Sequence, residues 1–191
     1  MKIINVILII AVVIFMGSCN NKQKPATNNA DSSAVAVHTD NAVFGICGEG
    51  SAMNTLQIIT DTNDTLNLSV YDAKENNKVF GGYMCGDRMA ALVNSDKNVA
   101  TWAVDITTLY GIWLNAGSTD TGINIKDKGV AETVGKTKTA FKSWSIVNGQ
   151  LSLTQMSNGK EVTNAYDLVR LDNDSLVYTD SKQMFKYVRR N

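Results

Sequence analysis

The residues with the most distinctive chemistry are three cysteines, Cys19, Cys47 and Cys85. Cys19 closes the stretch "VIFMGSC", directly behind the small residues Gly17 and Ser18. A thiolate is the best side-chain nucleophile, so a cysteine here is a candidate for covalent modification. Lys2 followed by an apolar run, Ile3 to Met16, has the layout of an export signal. That run is about 14 residues long, short of the roughly 20 that cross a hydrocarbon core. Gly17-Ser18-Cys19 therefore reads as a processing site and not as the end of a membrane span.

Cys47 and Cys85 remain, an even number suited to pairing in an oxidising compartment. A bridge would close a loop of about 38 residues and stabilise by roughly 4 kcal/mol in the chain-entropy picture. Two buried free thiols fit the sequence equally well. Neither cysteine has another two residues away, and His38 is the only histidine, so no metal site is expected. His38 would also have to be the base of any Ser-His-Asp arrangement, on a segment with no rigid surroundings. "DTND" and "DNDS" lack the alternating acidic spacing and distal Glu of a calcium loop. "GICGEG" and "FGGY" lack the pattern that cradles phosphate. All four stretches suit turns and bends beside strands. No catalytic residue and no cofactor is expected.

The elements around these residues follow from composition. Eighteen basic and eighteen acidic residues leave zero formal charge, and no basic block exceeds Arg189-Arg190. Nucleic-acid binding calls for a concentrated basic face and is set aside. The single proline, Pro25, lies near the start, and the rest is rich in Gly, Asn, Asp and Thr, which favours strands joined by turns. Residues 20–41 have few bulky apolar side chains and cannot build a core. As a tether they would span roughly 25 Å. The expected organisation is a signal over residues 1–18, Cys19 and a linker over 19–41, and β-domains over 42–108 and 109–191.

Hairpin registers follow from turn positions. Asn148-Gly149 sets Ile146 opposite Leu151 and Trp144 opposite Leu153. Asn158-Gly159 sets Tyr166 opposite Leu151 and Val162 opposite Gln155. A three-residue turn at Asp127–Gly129 sets Ile123 against Thr133 and Ile125 against Ala131. A turn at Asp172–Ser175 pairs Leu171 with Leu176, and one at Asp180-Ser181 would pair Leu176 with Phe185. Tyr166 and Leu168 are out of phase with Val169 and Leu171, which predicts a β-bulge near Leu168–Val169. The second half thus contains about eight antiparallel strands, a number that tends to close into a barrel. In the first half, a turn centred on Thr62 pairs Ile58 with Leu66 and Leu56 with Leu68, with Asn63 in the left-handed position. Further strands are expected around Phe80–Cys85, Met89–Val93 and Val99–Thr107.

Gly17-Ser18-Cys19 resembles the lipobox of bacterial lipoproteins. That resemblance implies diacylglyceryl transfer to Cys19, cleavage after Ser18 and acylation of the new amino terminus. Asn20 is not the aspartate that resembles an inner-membrane retention signal, and "NNKQKP" lacks an acidic surface-export cluster. An outer-membrane lipoprotein facing the periplasm is therefore expected. "YGIWLN", with Gly111-x-Trp113, looks like the opening of lipocalins. The later set resembles the lipocalin-like domains of small Gram-negative lipoproteins: Trp144 with Leu151 and Leu153, the strand from Glu161 to Tyr166, "LDNDSLV", and Phe185 with Tyr187. The later lipocalin signatures, including the arginine that packs on the tryptophan, are not recognisable in this chain. More loosely, the first half resembles the small OB-type barrel that precedes such domains.

The fold class implied is all-β, a small OB-like barrel followed by an eight-stranded up-and-down lipocalin-like barrel. The function implied is a non-enzymatic envelope protein holding a small apolar or amphipathic molecule in the second barrel. Trp113, Trp144, Tyr166, Phe185 and Tyr187 are the candidate ligand residues. The alternative is an interaction module with filled barrels that docks an envelope protein or glycan. The expected partners are the membrane, through the Cys19 lipid, and the ligand or the docked protein; nucleic acid is not among them.

Overall fold

The computed structural model describes residues 42–190. The signal, Cys19, His38 and the whole 19–41 linker lie outside them. In chain order the first lobe contains β1 (Ala42–Cys47), β2 (Thr55–Thr60), β3 (Thr65–Ser69), α1 (Tyr71–Glu75), β4 (Val79–Phe80), β5 (Arg88–Val93) and β6 (Ala100–Asp105). After the short helix α2 (Ile106–Leu109) come β7 (Gly111–Asn115), β8 (Gly122–Ile125), β9 (Ala131–Val134), β10 (Ala140–Val147) and β11 (Gln150–Ser157). The chain ends with β12 (Lys160–Leu171), β13 (Ser175–Thr179) and β14 (Met184–Arg189).

The first lobe is a mixed six-stranded sheet in the order β3-β2-β1-β5-β6-β4, with β4 parallel to β6. Ile58 faces Leu66 and Leu56 faces Leu68 across the β2–β3 hairpin, with Asn63 at φ 65°. A parallel bridge between Ser69 and Val99, with Ser69 N donating to Asn98 O at 2.8 Å, brings β3 back towards β6. Five strands thereby curl into a partly open, OB-like barrel, and β4 is an addition at β6. Two strand expectations need correction. The strand expected over Phe80–Cys85 ends at Phe80, because Gly81, Gly82 and Gly86 take φ of 81°, 82° and 93° and turn the chain out of the sheet. The one expected to run to Thr107 ends at Asp105, whose carboxylate caps α2 by accepting from Thr108 N at 3.1 Å and Thr108 Oγ1 at 2.5 Å.

The second lobe is an antiparallel sheet in the order β10-β11-β12-β13-β14-β7-β8-β9. Its last strand pairs with its first, Tyr187 opposite Asn115 and Arg189 opposite Trp113. The remaining seam, β9 to β10, is held by a bridge between Val130 and Ser143. Thr133 Oγ1 adds to it, accepting from Phe141 N at 2.8 Å and donating to Thr139 O at 3.2 Å. The result is a nearly closed up-and-down barrel.

The pairs set by Asn148-Gly149, Asn158-Gly159, Asp127–Gly129 and Asp172–Ser175 all occur, and the register shifts between Leu168 and Arg170. The β13–β14 register is the exception. Leu176 faces Tyr187, and it is Tyr178 that faces Phe185. Asp180 Oδ1 accepts from Lys182 N at 2.7 Å and Gln183 N at 2.8 Å, a side-chain turn that lengthens the loop by two residues. A two-residue slip keeps every side chain on its original face.

The lobes share a core. Phe80, Trp102, Val104 and Ile106 join Ile146, Leu151, Leu168 and Leu171 in one buried apolar cluster. A second cluster, with Cys47, Leu56, Ile58, Leu68 and Met89, lies within the first lobe. Gly149 serves both the hairpin and the junction. Its φ is +72°, and a Cβ there would stand 2.8 Å from Leu92 Cδ1.

One end of the second barrel is shut by Arg189. Its guanidinium carbon lies 4.1 Å from the centroid of the Trp113 ring. Nη1 donates to Tyr110 O at 2.8 Å, Nη2 to Thr108 O at 2.6 Å, and Nε to Asn173 O. Trp113 is fully buried and donates from Nε1 to Leu109 O at 2.8 Å. Gly111 takes φ +129°, and a Cβ on it would sit 2.6 Å from Arg189 Nη1. The Gly-x-Trp spacing thus gives the arginine room at one residue and an aromatic face at the other. The arginine that the sequence alone did not reveal is Arg189.

Arg189→Met should destabilise the protein by about 2–3 kcal/mol, since it orphans carbonyls at a charge-assisted site. Gly111→Ala should cost on the order of 1–3 kcal/mol through backbone strain. Urea unfolding followed by tryptophan fluorescence checks both, and the double variant should lose less than the two single losses combined, because both act on one contact.

Candidate functional site: the barrel mouth

Alternation along the strands decides what fills the lumen. On β7 the inward positions are Gly111, Trp113 and Asn115, and on β12 they include Asn164, Tyr166 and Leu168. On β11, Gln155 continues the face of Leu151 and Leu153, and on β14 Phe185 and Tyr187 continue that of Arg189. β7, β11 and β12 therefore run from apolar or clamped residues at the shut end to polar ones at the other, while β14 brings Phe185 to the open end. The shut half is packed. The open half holds a hollow of about 400 Å³.

Its floor is a block of aromatic rings. Tyr178 stacks on Phe185 with centroids 5.1 Å apart and on Tyr187 at 5.4 Å. Tyr166 meets Phe185 edge-on at 5.3 Å and lies 4.8 Å from Tyr178. Tyr178 donates to the Tyr187 hydroxyl at 2.9 Å, which satisfies two buried hydroxyls together. Burial raises both phenols above the ordinary tyrosine value, and each stands close enough to the other to add to the effect on Tyr178. Burial also raises Tyr166, and the Asp180 charge adds to it.

The walls are amides and hydroxyls: Asn115, Gln155, Asn164, Gln183, Thr137 and Thr139. Among the described residues, the side chains of Gln155 and Gln183 make no hydrogen bond. Asp180 is the one charged side chain among the described lining residues. The N–H groups of Lys182 and Gln183 hold its carboxyl below the usual carboxylate range.

A larger hollow of about 660 Å³ opens where β4 meets β12. Three of its polar side chains are already engaged: Lys74 Nζ donates to Met53 O at 2.6 Å, Tyr83 Oη to Met53 O at 2.6 Å, and Arg170 pairs with Asp172. Uncommitted donors and acceptors around an aromatic floor make the barrel mouth the better binding site.

Of the residues singled out in the sequence, Tyr166, Phe185 and Tyr187 meet in this hollow. Trp113 lies beneath Arg189 at the shut end. Trp144 is buried at 8% exposure, donates from Nε1 to Lys126 O at 2.7 Å and packs edge-on against Tyr110. Tyr178, Asn115, Gln155 and Asn164 were not singled out, although Asn164 stands opposite Leu153 on a face already read as apolar. Cys47 and Cys85 are both free thiols, the first buried and the second exposed. Cys47 Sγ lies 3.1 Å from Ser51 Oγ, and burial pushes its thiol up. Gly86 N donates to Cys47 O at 2.9 Å, so the Cys85 loop runs alongside.

Comparison with known proteins bears on this same half. Residues 105–190 match a family model described as lipocalin-like. The C-terminal half carries a lipocalin-like domain. A crystal structure of a lipocalin-like protein from Bacteroides thetaiotaomicron VPI-5482 is 27% identical, with a TM-score of 0.39. That likeness covers 97% of its chain and 44% of this one. No curated protein sequence matches this chain. The match begins at Asp105, the cap of α2, so the lipocalin-like domain takes in the helix that Arg189 secures.

Two measurements follow from the site chemistry. Raised phenols mean that the folded state holds its protons longer, so the contribution of Tyr178 and Tyr187 is complete below about pH 10, the unfolded tyrosine value. It drains away as pH climbs beyond that. In an alkaline titration the phenolate absorbance of this pair should appear together with loss of near-ultraviolet circular dichroism, and the Tyr178→Phe/Tyr187→Phe variant should lack that step. In the reduced full chain, Cys85 should be alkylated under native conditions and Cys47 only after unfolding.

Proposed function

We propose that this protein is a non-enzymatic, lipid-anchored lipoprotein of the cell envelope whose lipocalin-like barrel binds a small amphipathic molecule at its mouth. The observation that carries the reading is the half-filled lumen, shut at one end by Arg189 on Trp113 and open at the other to about 400 Å³. That volume lies within the range of sites for small ligands. The mouth combines rings and hydrogen-bonding groups, so a ligand with both an apolar face and polar edges fits it. Lipid attachment at Cys19, with placement on the periplasmic side of the outer membrane, rests on the Gly-Ser-Cys motif and on the polar stretch that follows it. Among the described residues no helix is long and apolar enough to cross a membrane.

A second reading, a module that docks an envelope protein, draws on Met53, Tyr71 and Met84, which are 78%, 54% and 75% exposed. Native mass spectrometry of the full chain, released from its detergent micelle, separates the two. Binding at the mouth predicts a copurifying small mass that disappears when Asn164→Trp fills the hollow. A barrel that copurifies nothing and takes up nothing from an envelope extract would leave the docking module. Cys19→Ser should move the protein from the membrane fraction to the soluble one, and retention in the membrane would end the lipid-anchor reading.

A further inference from the structure

We infer that the ligand of the barrel mouth is a neutral, polyhydroxylated molecule of saccharide type and not a fatty acid or other anionic lipid. The inference rests on the proposal that the mouth binds a small molecule, and it concerns the class of that molecule.

Charge is the first ground. An anionic headgroup entering a partly dehydrated hollow needs a cation or several convergent N–H donors to replace its water. Among the described lining residues there is no lysine, arginine or histidine. The only charge is the carboxylate of Asp180, kept ionised by the N–H groups of Lys182 and Gln183. It faces the hollow beside Tyr166, whose phenol it perturbs. A fatty-acid carboxylate would meet like charge and no counter-charge, a cost that its apolar tail could offset only with a deep lumen. The lumen is not deep, because Trp113, Tyr178 and Tyr187 fill it below the floor.

Hydrogen-bonding capacity is the second ground. Each carboxamide offers two donors and one acceptor oxygen, and each hydroxyl offers both functions. Asn115, Gln155, Asn164 and Gln183 therefore ring the hollow with both kinds of group at once. The side-chain amides of Gln155 and Gln183 make no hydrogen bond to any other described group. A hydroxyl also donates and accepts, so a polyol matches such a ring at every point. A hydrocarbon would strand these groups, and leaving a buried polar group unpaired is unfavourable.

Shape is the third ground. Phe185 and Phe141 are half-buried at the top of the ring block, so each leaves part of a ring edge or face open to the hollow. A pyranose has one face of C–H groups and a perimeter of hydroxyls. The C–H face suits the aromatic floor, whose ring faces carry partial negative charge, and the perimeter suits the amides. The hollow of about 400 Å³ is near the small end of ligand sites, room for one or two sugar rings.

The test uses the full chain in detergent and saturation-transfer NMR against three sets of compounds. These are neutral sugars (glucose, galactose, mannose, N-acetylglucosamine and maltose), sodium dodecanoate below its micelle concentration, and choline. Each is repeated with Gln155→Ala and Asn164→Leu, both checked for fold by circular dichroism. The expected result is transfer to the C–H protons of at least one sugar, reduced at least fivefold in both variants and unchanged between low and high salt. Dodecanoate or choline giving a variant-sensitive signal while the sugars give none would overturn the ligand class and leave the binding function standing. Sugar signals that persist in both variants would overturn the assignment to this site. No signal from any set would overturn the ligand class as drawn, and an empty native mass spectrum alongside it would take the binding function with it.

Discussion

The guanidinium of Arg189, held between the Trp113 ring and the carbonyls of Thr108 and Tyr110, is the contact on which the second barrel depends. A rolled sheet must join its last strand to its first and must also fill one end, or water enters along its whole axis. Arg189 does both, since β14 brings it to β7 and its side chain roofs the tryptophan. A half-buried cation needs its hydrogen bonds satisfied where it leaves water, and the end of α2 supplies two carbonyls. The helix thereby becomes part of the barrel, and the helix is also the segment that leaves the first lobe. One side chain thus ties the closure of the barrel to the junction of the lobes.

The filled end determines where anything can bind. With Trp113, Tyr178 and Tyr187 buried in the lower lumen, the hollow lies beside Phe185 and Tyr166. The polar residues that would be unfavourable in a packed core sit on the same inward face, but higher up. β7, β11 and β12 each contribute a packed residue below and a hydrogen-bonding one above, at two-residue spacing. The clamp at Trp113 and the hollow beside Gln155 are thus separated along the axis.

Much of this was legible in the sequence where local chemistry sets geometry. Asn-Gly pairs dictate two-residue turns, so the β10–β11 and β11–β12 registers followed directly from their positions. The phase conflict at Leu168–Val169 likewise required a bulge, because alternation cannot change face without one. The β13–β14 register was misread because Asp180 accepts bonds from residues two and three ahead, and a side-chain turn of that kind is hard to tell from a shorter one by composition. Arg189 escaped notice because its partners are nearly eighty residues away and nothing local marks it. Tyr166, Phe185 and Tyr187 were visible as aromatic residues at strand spacing, whereas Gln155 and Asn164 read as ordinary polar positions. The pairing of Asn164 with Leu153, and the place of Gln155 two residues beyond Leu153, show that amides point inward, a signal that becomes legible once the register is taken as seriously as the residue type.

The seam between β9 and β10 has a consequence for the mechanics of the mouth. Elsewhere around the barrel, neighbouring strands are zipped by paired ladders, interrupted by bulges at Leu168–Arg170 and Phe141–Ser143, which resist opening cooperatively. At the seam the zipper is reduced to the Val130–Ser143 bridge, the bonds of one threonine hydroxyl and the Trp144 indole N–H on Lys126 O. The segment that crosses it carries Thr137, Thr139 and Phe141, all of which border the hollow. The rim is therefore stiff on the side of β12 to β14 and compliant on the side of β9 and β10. On the proposed reading, a guest slightly too large would be met by yielding of that one wall, with the aromatic floor keeping its shape.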